Sequence, residues 1–210
     1  LNKADWQLLP VLNQVAGELG FGGQDYVAAQ NLQQSLTGGI SAFASVRASL
    51  ANVNQAGSFF VLSSRSLARN ASKMMTLLNE TSQGLRFDET ARIAELVRQS
   101  NTRKQMGVVN QGHSLAMLAA SAAFSKISAL NHQLSGLGSL AFFKGLVAKI
   151  EEGDVASLAA DLAGLYARFQ QAPQSAMVIA DEARVPELVN ALLQRGSLTQ
   201  SGPAQQLIHA

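Results

Sequence analysis

The sequence predicts an α+β domain in which helices cover one face of a mainly antiparallel sheet. Three observations predict it. Apolar residues recur at helical spacing over most of the chain. Two runs with strand character, 40–50 and 58–64, lie close together, and a third lies far away at 175–181. Strands spaced this unevenly do not form repeated βαβ units, which argues against a doubly wound sheet. With 210 residues and 47% hydrophobic content, the chain has enough apolar material for one sizeable core.

The first helix is predicted over residues 5–19. Leu8, Leu9, Leu12, Val15, Ala16 and Leu19 share its turns, and Pro10 falls early, where a missing N–H is best tolerated. Gly20, Gly22 and Gly23 end it. A second helix, 24–35, carries Tyr26, Val27, Gln30 and Leu32 and stops at Gly38 and Gly39. The run from Ile40 then alternates through Ala42, Ala44 and Val46, and 58–64 is compactly apolar. Asn52, Asn54 and Gly57 between them predict a hairpin.

From Leu67 the pattern turns helical. Met74, Leu77 and Leu78 mark one helix ending near Gly84, and Ile93, Leu96 and Val97 mark the next. Asp88 and Glu89 read as the acidic start of that second helix. The almost wholly polar stretch 98–105 is expected at the surface, and Gly107 and Gly112 bracket a kink. An Ala-rich helix follows, with Ala116, Ala119, Ala120, Ala122 and Ala123, where small residues admit a close neighbour. Gly136 and Gly138 are expected to end it. Helices over 140–149 and 156–169 come next, the latter capped by Asp154. A third strand (175–181) and a last helix opened by Asp181 and Glu182 complete the pattern. The chain reads as one domain over residues 1–200, with a linker or tail at 201–210 signalled by Ser201-Gly202-Pro203. Starting at Leu1, it reads as a segment of a longer protein.

Composition excludes several function classes. The absence of cysteine removes disulfides, thiolate catalysis and thiolate metal sites, and leaves the compartment undetermined. The longest strongly apolar run, 115–124, is far shorter than the ~20 residues that span a bilayer. Half of the 16 basic residues fall between Arg65 and Lys104, but Glu80, Asp88, Glu89 and Glu95 share that stretch. Without interleaved aromatics this is a solvated helix surface and not a nucleic-acid patch.

Candidate chemistries reduce to structural roles. His113, His132 and His209 are too far apart for a local metal site, and His113 reads as a capping or packing residue. No G-x-S-x-G elbow is present, and Ser135 lies in a connector between helices. The carboxylates Asp88, Glu89, Asp154, Asp181 and Glu182 all fall at helix starts. The glycines of "GELGFGG" follow a helix, the wrong context for a dinucleotide fingerprint. No catalytic, cofactor-binding or metal residue is therefore assigned.

The strings "LLPVLNQVAGELG", "LTGGIS", "SRSLARNASKMMTLLNE", "GHSLAMLAASAAFS" and "LSGLGSLAFFKGL", in that order, resemble the pitrilysin/insulinase-type zinc metallopeptidases, presequence-protease branch. The resemblance covers about residues 8–193, and it is the order of the strings that carries it. It implies a place in the non-catalytic C-terminal half of such an enzyme, as its third domain. The family's inverted H-x-x-E-H zinc motif does not occur here. The helix that binds zinc in the catalytic half would correspond to the first helix, which offers Leu8, Leu9, Pro10, Leu12 and Asn13. The family's Arg–Tyr substrate pair normally lies in the fourth domain, and neither Tyr26 nor Tyr166 sits at a matching position.

The resemblance thus implies a segment inactive alone, with zinc held by the catalytic half of the same polypeptide and peptides as substrates of the whole enzyme, while the composition leads us to expect no nucleic-acid or membrane partner. The family domain normally begins with a strand or two upstream of the first helix. An incomplete sheet would leave an unpaired edge, and the isolated segment would self-associate through it. The alternatives are a stand-alone helical interaction module docking through residues 98–105 and the Ala-rich helix, or an inactive subunit of the same fold partnering a separate catalytic chain.

Overall fold

The computed structural model describes residues 2–48 and 56–193. In chain order these form α1 (Lys3–Val15), α2 (Tyr26–Leu36), β1 (Ile40–Ala48), β2 (Ala56–Ser64), α3 (Ala71–Gln83), α4 (Thr90–Ser121), α5 (Lys126–Ser135), α6 (Leu137–Glu151), α7 (Val155–Gln171) and α8 (Val185–Leu193). Two short 3-10 turns, Ala68–Asn70 and Glu182–Arg184, precede α3 and α8. The architecture is α+β, as the pattern predicts, with a small, open two-stranded antiparallel sheet.

Helix α1 starts two residues earlier than expected because Asn2 caps it. The Asn2 side chain accepts from Asp5 N–H at 2.9 Å, and the Asp5 carboxylate accepts from Asn2 N–H at 2.8 Å. This reciprocal box satisfies two donors that would otherwise lack partners. The earlier start places Pro10 well inside the helix, not near its first turn. One helical hydrogen bond is lost there, and burial of Leu9, Val11, Leu12, Val15 and Ala16 offsets it.

The core lies where α1, α4, α6 and α7 meet. Leu12, Val15, Ile93, Val97, Phe143, Leu162 and Leu165 are fully enclosed there. The hairpin lays one face on this core. Its register pairs Ala42 with Leu62 and Ala44 with Phe60, and all four pack inward. Phe60 stacks on Phe169 at 5.2 Å and meets the edge of Tyr166 at 5.9 Å. The other face carries exposed Phe43 and Phe59, so the sheet is buried on one side only.

The segment after α1 is tied down by backbone. Gly22 N–H donates to the Gly84 carbonyl at 2.8 Å, and Arg86 N–H to the Gly20 carbonyl at 2.9 Å. Phe21 is buried between these two bonds. Gly20 is required by close approach: a Cβ there would lie 2.4 Å from the Gln24 carbonyl oxygen. Gly22, at φ +59°, occupies the left-handed region that glycine adopts without penalty.

Several expectations are corrected. Residues 175–181 form no strand. They run without a ladder partner, with Met177 and Ile179 73% and 85% exposed. Alternating apolar residues make a strand only where a sheet edge accepts them, and no described edge does. The Ala-rich segment belongs to α4, which passes both Gly107 and Gly112 with one irregular residue between them, Gln111 at φ −118°. The predicted kink therefore lies between those glycines. The helix ends at Ser121, not at Gly136 or Gly138, because Ser125 caps a new helix, α5, accepting from Ser128 N–H at 3.4 Å. Gly136 then separates α5 from α6, which begins at Leu137 and so ahead of residue 140. Ala116, Ala120 and Ala123 face solvent, with no helix over them among the described residues. Of the hairpin residues expected in the turn, Gly57 lies in β2, and Asn52 and Asn54 lie outside the described residues.

The polar stretch 98–105 is only partly exposed. Ser100 and Asn101 are 3% and 8% exposed. The stripe Ile93, Val97, Ser100, Lys104 continues at helical spacing toward the core, so geometry buries these positions despite their polarity.

Candidate functional site

Two polar arrangements stand out among the described residues. The first is a junction of α1, α2 and α4 built on Glu89. Its carboxylate accepts from Gly20 N–H and from Tyr26 N–H, both at 2.8 Å. Tyr26 is the first residue of α2, whose free N–H groups and dipole favour a negative charge. One turn along α4, Arg92 binds Glu95 at 2.8 Å and Glu18 at 2.9 Å and lies over the Tyr26 ring. Gln30 also donates to Glu18. The Glu89 carboxylate and the terminal nitrogens of Arg92 are engaged by partners within the junction, and Arg92 Nε is buried without one. The chemistry of the junction is adhesive.

This junction corrects the reading of Asp88 and Glu89. Neither side chain caps α4. Glu89 serves the start of α2, and Asp88 pairs with Arg86 at 2.7 Å, which holds the Asp88 carboxyl below its ordinary pKa and the Arg86 guanidinium above its own. Asp154 and Asp181 stand at the N-cap positions of α7 and of the turn before α8, but their side chains make no capping bond either.

The second arrangement is a cleft of about 260 Å³ between the end of α1, the middle of α4 and the α5–α6 junction. Arg103 Nη2 donates to Gln14 Oε1 at 3.0 Å and lies 3.4 Å from Ser100 Oγ, and Ser100 Oγ itself donates to Gln14 at 3.1 Å. Lys104 lies over the Phe143 ring, 4.9 Å from its centroid, and burial lowers its pKa. Helix α6 opens at Gly136 with no side chain capping it. Val108, Leu115, Leu137 and Leu140 form the apolar wall. A second cleft, about 280 Å³, runs along β2 beside Tyr166, Phe169 and residues 172–175.

The other residues weighed from sequence do not assemble into a catalytic centre. In α1, Leu9 and Leu12 point into the core. His113 is exposed in the middle of α4, so it neither caps nor packs, and His132 is half-buried near the end of α5. Among the described residues no three His, Cys, Asp or Glu side chains cluster as metal ligands. His209 lies outside them. Ser135, the last residue of α5, donates to the Asn131 carbonyl at 2.9 Å, a helix-end role. Tyr166 is buried, and its hydroxyl donates to the Thr81 carbonyl at 3.1 Å. Burial raises its pKa well above the ordinary value.

An ion pair absent from the sequence reading joins the two ends of the core. Arg168 of α7 binds the buried Asp5 of α1 at 3.0 Å. Asp5 therefore serves both the capping box and the α1–α7 contact. Among the described residues no helix is long and apolar enough to cross a membrane.

Comparison with known proteins adds a family to this geometry. The chain is 26% identical over 163 residues to protein HypA of Clostridium perfringens, covering 76% of this chain and 16% of that protein. It is 26% identical over 145 residues to presequence protease 1, chloroplastic/mitochondrial, of Arabidopsis thaliana, covering 69% of this chain and 13% of the relative. It is 26% identical over 147 residues to the mitochondrial presequence protease of Xenopus tropicalis, covering 70% and 14%. The chain thus spans only about a seventh of the length of these relatives. The two presequence proteases fit the resemblance drawn from the motifs. The family described as peptidase M-16C associated matches residues 1–146, and the chain belongs to that family.

Proposed function

We propose that this chain is a non-catalytic domain of a peptide-degrading zinc metalloendopeptidase, its third domain, forming part of the chamber wall and of the interface with the catalytic half. The observation that carries the proposal is α1. At the helix that the family resemblance equates with the zinc helix of the catalytic half, this chain buries Leu9, Leu12 and Val15 and offers no ligand set. Zinc, which would activate water for attack on a peptide carbonyl, belongs in this reading to the catalytic half. Among the described residues no group of ligands fits it, and no chemical step is assigned to them.

An interface role is supported by surface apolarity. Met106, Val109, Met117 and Phe124 stand 58–89% exposed along the second half of α4 and just beyond it. A run of large apolar side chains costs solubility when left open. The relatives are about seven times longer than the matched segment, so the rest of the polypeptide is the proposed cover. In the same reading residues 1–200 are one domain and 201–210 a linker or tail.

The flanking coding sequence tests the proposal. An upstream H-x-x-E-H in the same frame supports it. A Met immediately before Leu1 and a stop after Ala210 would overturn it in favour of a stand-alone module. The hairpin supports a second expectation, self-association of the isolated segment, because each strand has one open edge among the described residues. A concentration-dependent mass by light scattering is expected, and a monodisperse monomer at high concentration would contradict it.

A further inference from the structure

The cleft between α1, α4 and the α5–α6 junction has a charge balance that its own residues leave open. Arg103 and Lys104 both line it, and no carboxylate does. Among the described residues neither cation takes part in a salt bridge. The hydrogen-bonded partners of Arg103 are neutral, Gln14 and Ser100, and they fix one edge of its guanidinium while other donors stay free. The partner of Lys104 is the face of Phe143. That contact accommodates an ammonium without neutralising it.

The third contributor is the start of α6, a 15-residue helix with no side-chain cap at Gly136. Ser139 N–H is held by the Gly136 carbonyl at 3.1 Å, which leaves the Leu137 and Gly138 N–H groups as the donors this helix start offers. The opposite wall is apolar, from Val108, Leu115 and Leu140. Two unneutralised cations and a helix start facing an apolar wall select a ligand that is anionic at one point and apolar beside it.

We propose that this cleft binds a carboxylate carried by a peptide, with an apolar side chain next to it. The carboxylate lies within reach of Arg103, Lys104 and the start of α6, and the neighbouring side chain lies on Val108, Leu115 and Leu140. Two sources share this chemistry: the C-terminus of a short peptide, and an Asp or Glu side chain within a longer one. The cleft carries the selection for an anion beside an apolar group, and the choice of a peptide as its carrier rests on the peptidase reading.

Backbone amide NMR on the full chain tests it with three probes: acetyl-Ala-Leu as free acid, acetyl-Ala-Leu amide, and acetyl-Glu-Leu amide. Saturable shifts at the amides of 136–140 are expected with at least one carboxylate-bearing probe. The uncharged amide should bind about tenfold more weakly or worse. Preference for the free acid assigns the site to a peptide C-terminus, and preference for the Glu probe assigns it to a side chain. Lys104→Met keeps the packing stem and removes the charge, so it should weaken the preferred probe about fivefold or more. The proposal is overturned if all three probes bind alike, if none shifts these amides, or if the shifts map away from the cleft. The probe comparison uses the unmodified protein, so poor folding of the variant would not rescue the idea.

Discussion

Glu89→Ala is the perturbation that separates a structural clamp from a surface acid. In the native chain the Glu89 carboxylate accepts from Gly20 N–H and Tyr26 N–H, each at 2.8 Å. Hydrogen bonds to a charged group contribute about 1.5–3 kcal/mol each, and the half-buried setting argues for the lower end, giving about 3 kcal/mol for the pair. With a urea m-value of about 2 kcal/mol/M for a chain of this size, the unfolding midpoint should fall by about 1.5 M. Glu89→Gln should be intermediate, because one carbonyl oxygen still accepts while the amide N–H₂ meets the second donor. Urea titration followed by far-ultraviolet circular dichroism gives both midpoints. Asp88→Ala serves as control, since its partner Arg86 is on the surface, and it should leave the midpoint nearly unchanged. A drop below about 0.25 M for Glu89→Ala, equivalent to about 0.5 kcal/mol, would refute the clamp.

Two further perturbations follow from the same contacts. Gly20→Ala should destabilise by about 1–3 kcal/mol in the same titration, because its Cβ would lie 2.4 Å from the Gln24 carbonyl oxygen. Unchanged stability would mean that this turn is looser than it stands. Tyr166 gives a pH dependence: burial raises its folded pKa, so its contribution is fully present below the unfolded value near 10 and is lost as pH rises above that value. The advantage of the wild type over Tyr166→Phe should therefore shrink above about pH 10. A constant difference from pH 8 to 11 would contradict it.

The sequence made the elements legible where local chemistry decides them. Helical spacing located α1, α3, α6 and α7, and Gly84 closes α3 where glycine was expected to stop it. The hairpin was legible because β1 alternates through Ile40, Ala42, Ala44 and Val46, whose side chains share the sheet face that holds the core. What failed depended on partners distant in the chain. The run 175–181 has strand composition, but a strand forms only by pairing with another, and composition does not decide that pairing. Asp88 and Glu89 look alike in sequence, and only the approach of residues 20–26 distinguishes them. The stretch 98–105 reads as polar, yet the stripe set by Ile93 and Val97 carries Ser100 and Asn101 inward. At the candidate cleft, Arg103 and Lys104 were visible as charges. Their company, Gln14 and the start of α6, comes from segments that the fold brings together. A polar run continuing the period of an apolar stripe was the one sequence signal that pointed there.

The central claim is that this chain, a member of the peptidase M-16C associated family, holds no zinc itself. Metal content by mass spectrometry, after chelation and replenishment with zinc, tests it most directly. The account predicts substoichiometric zinc, since among the described residues no three His, Cys, Asp or Glu side chains cluster as metal ligands. Stoichiometric zinc that survives dialysis would contradict it.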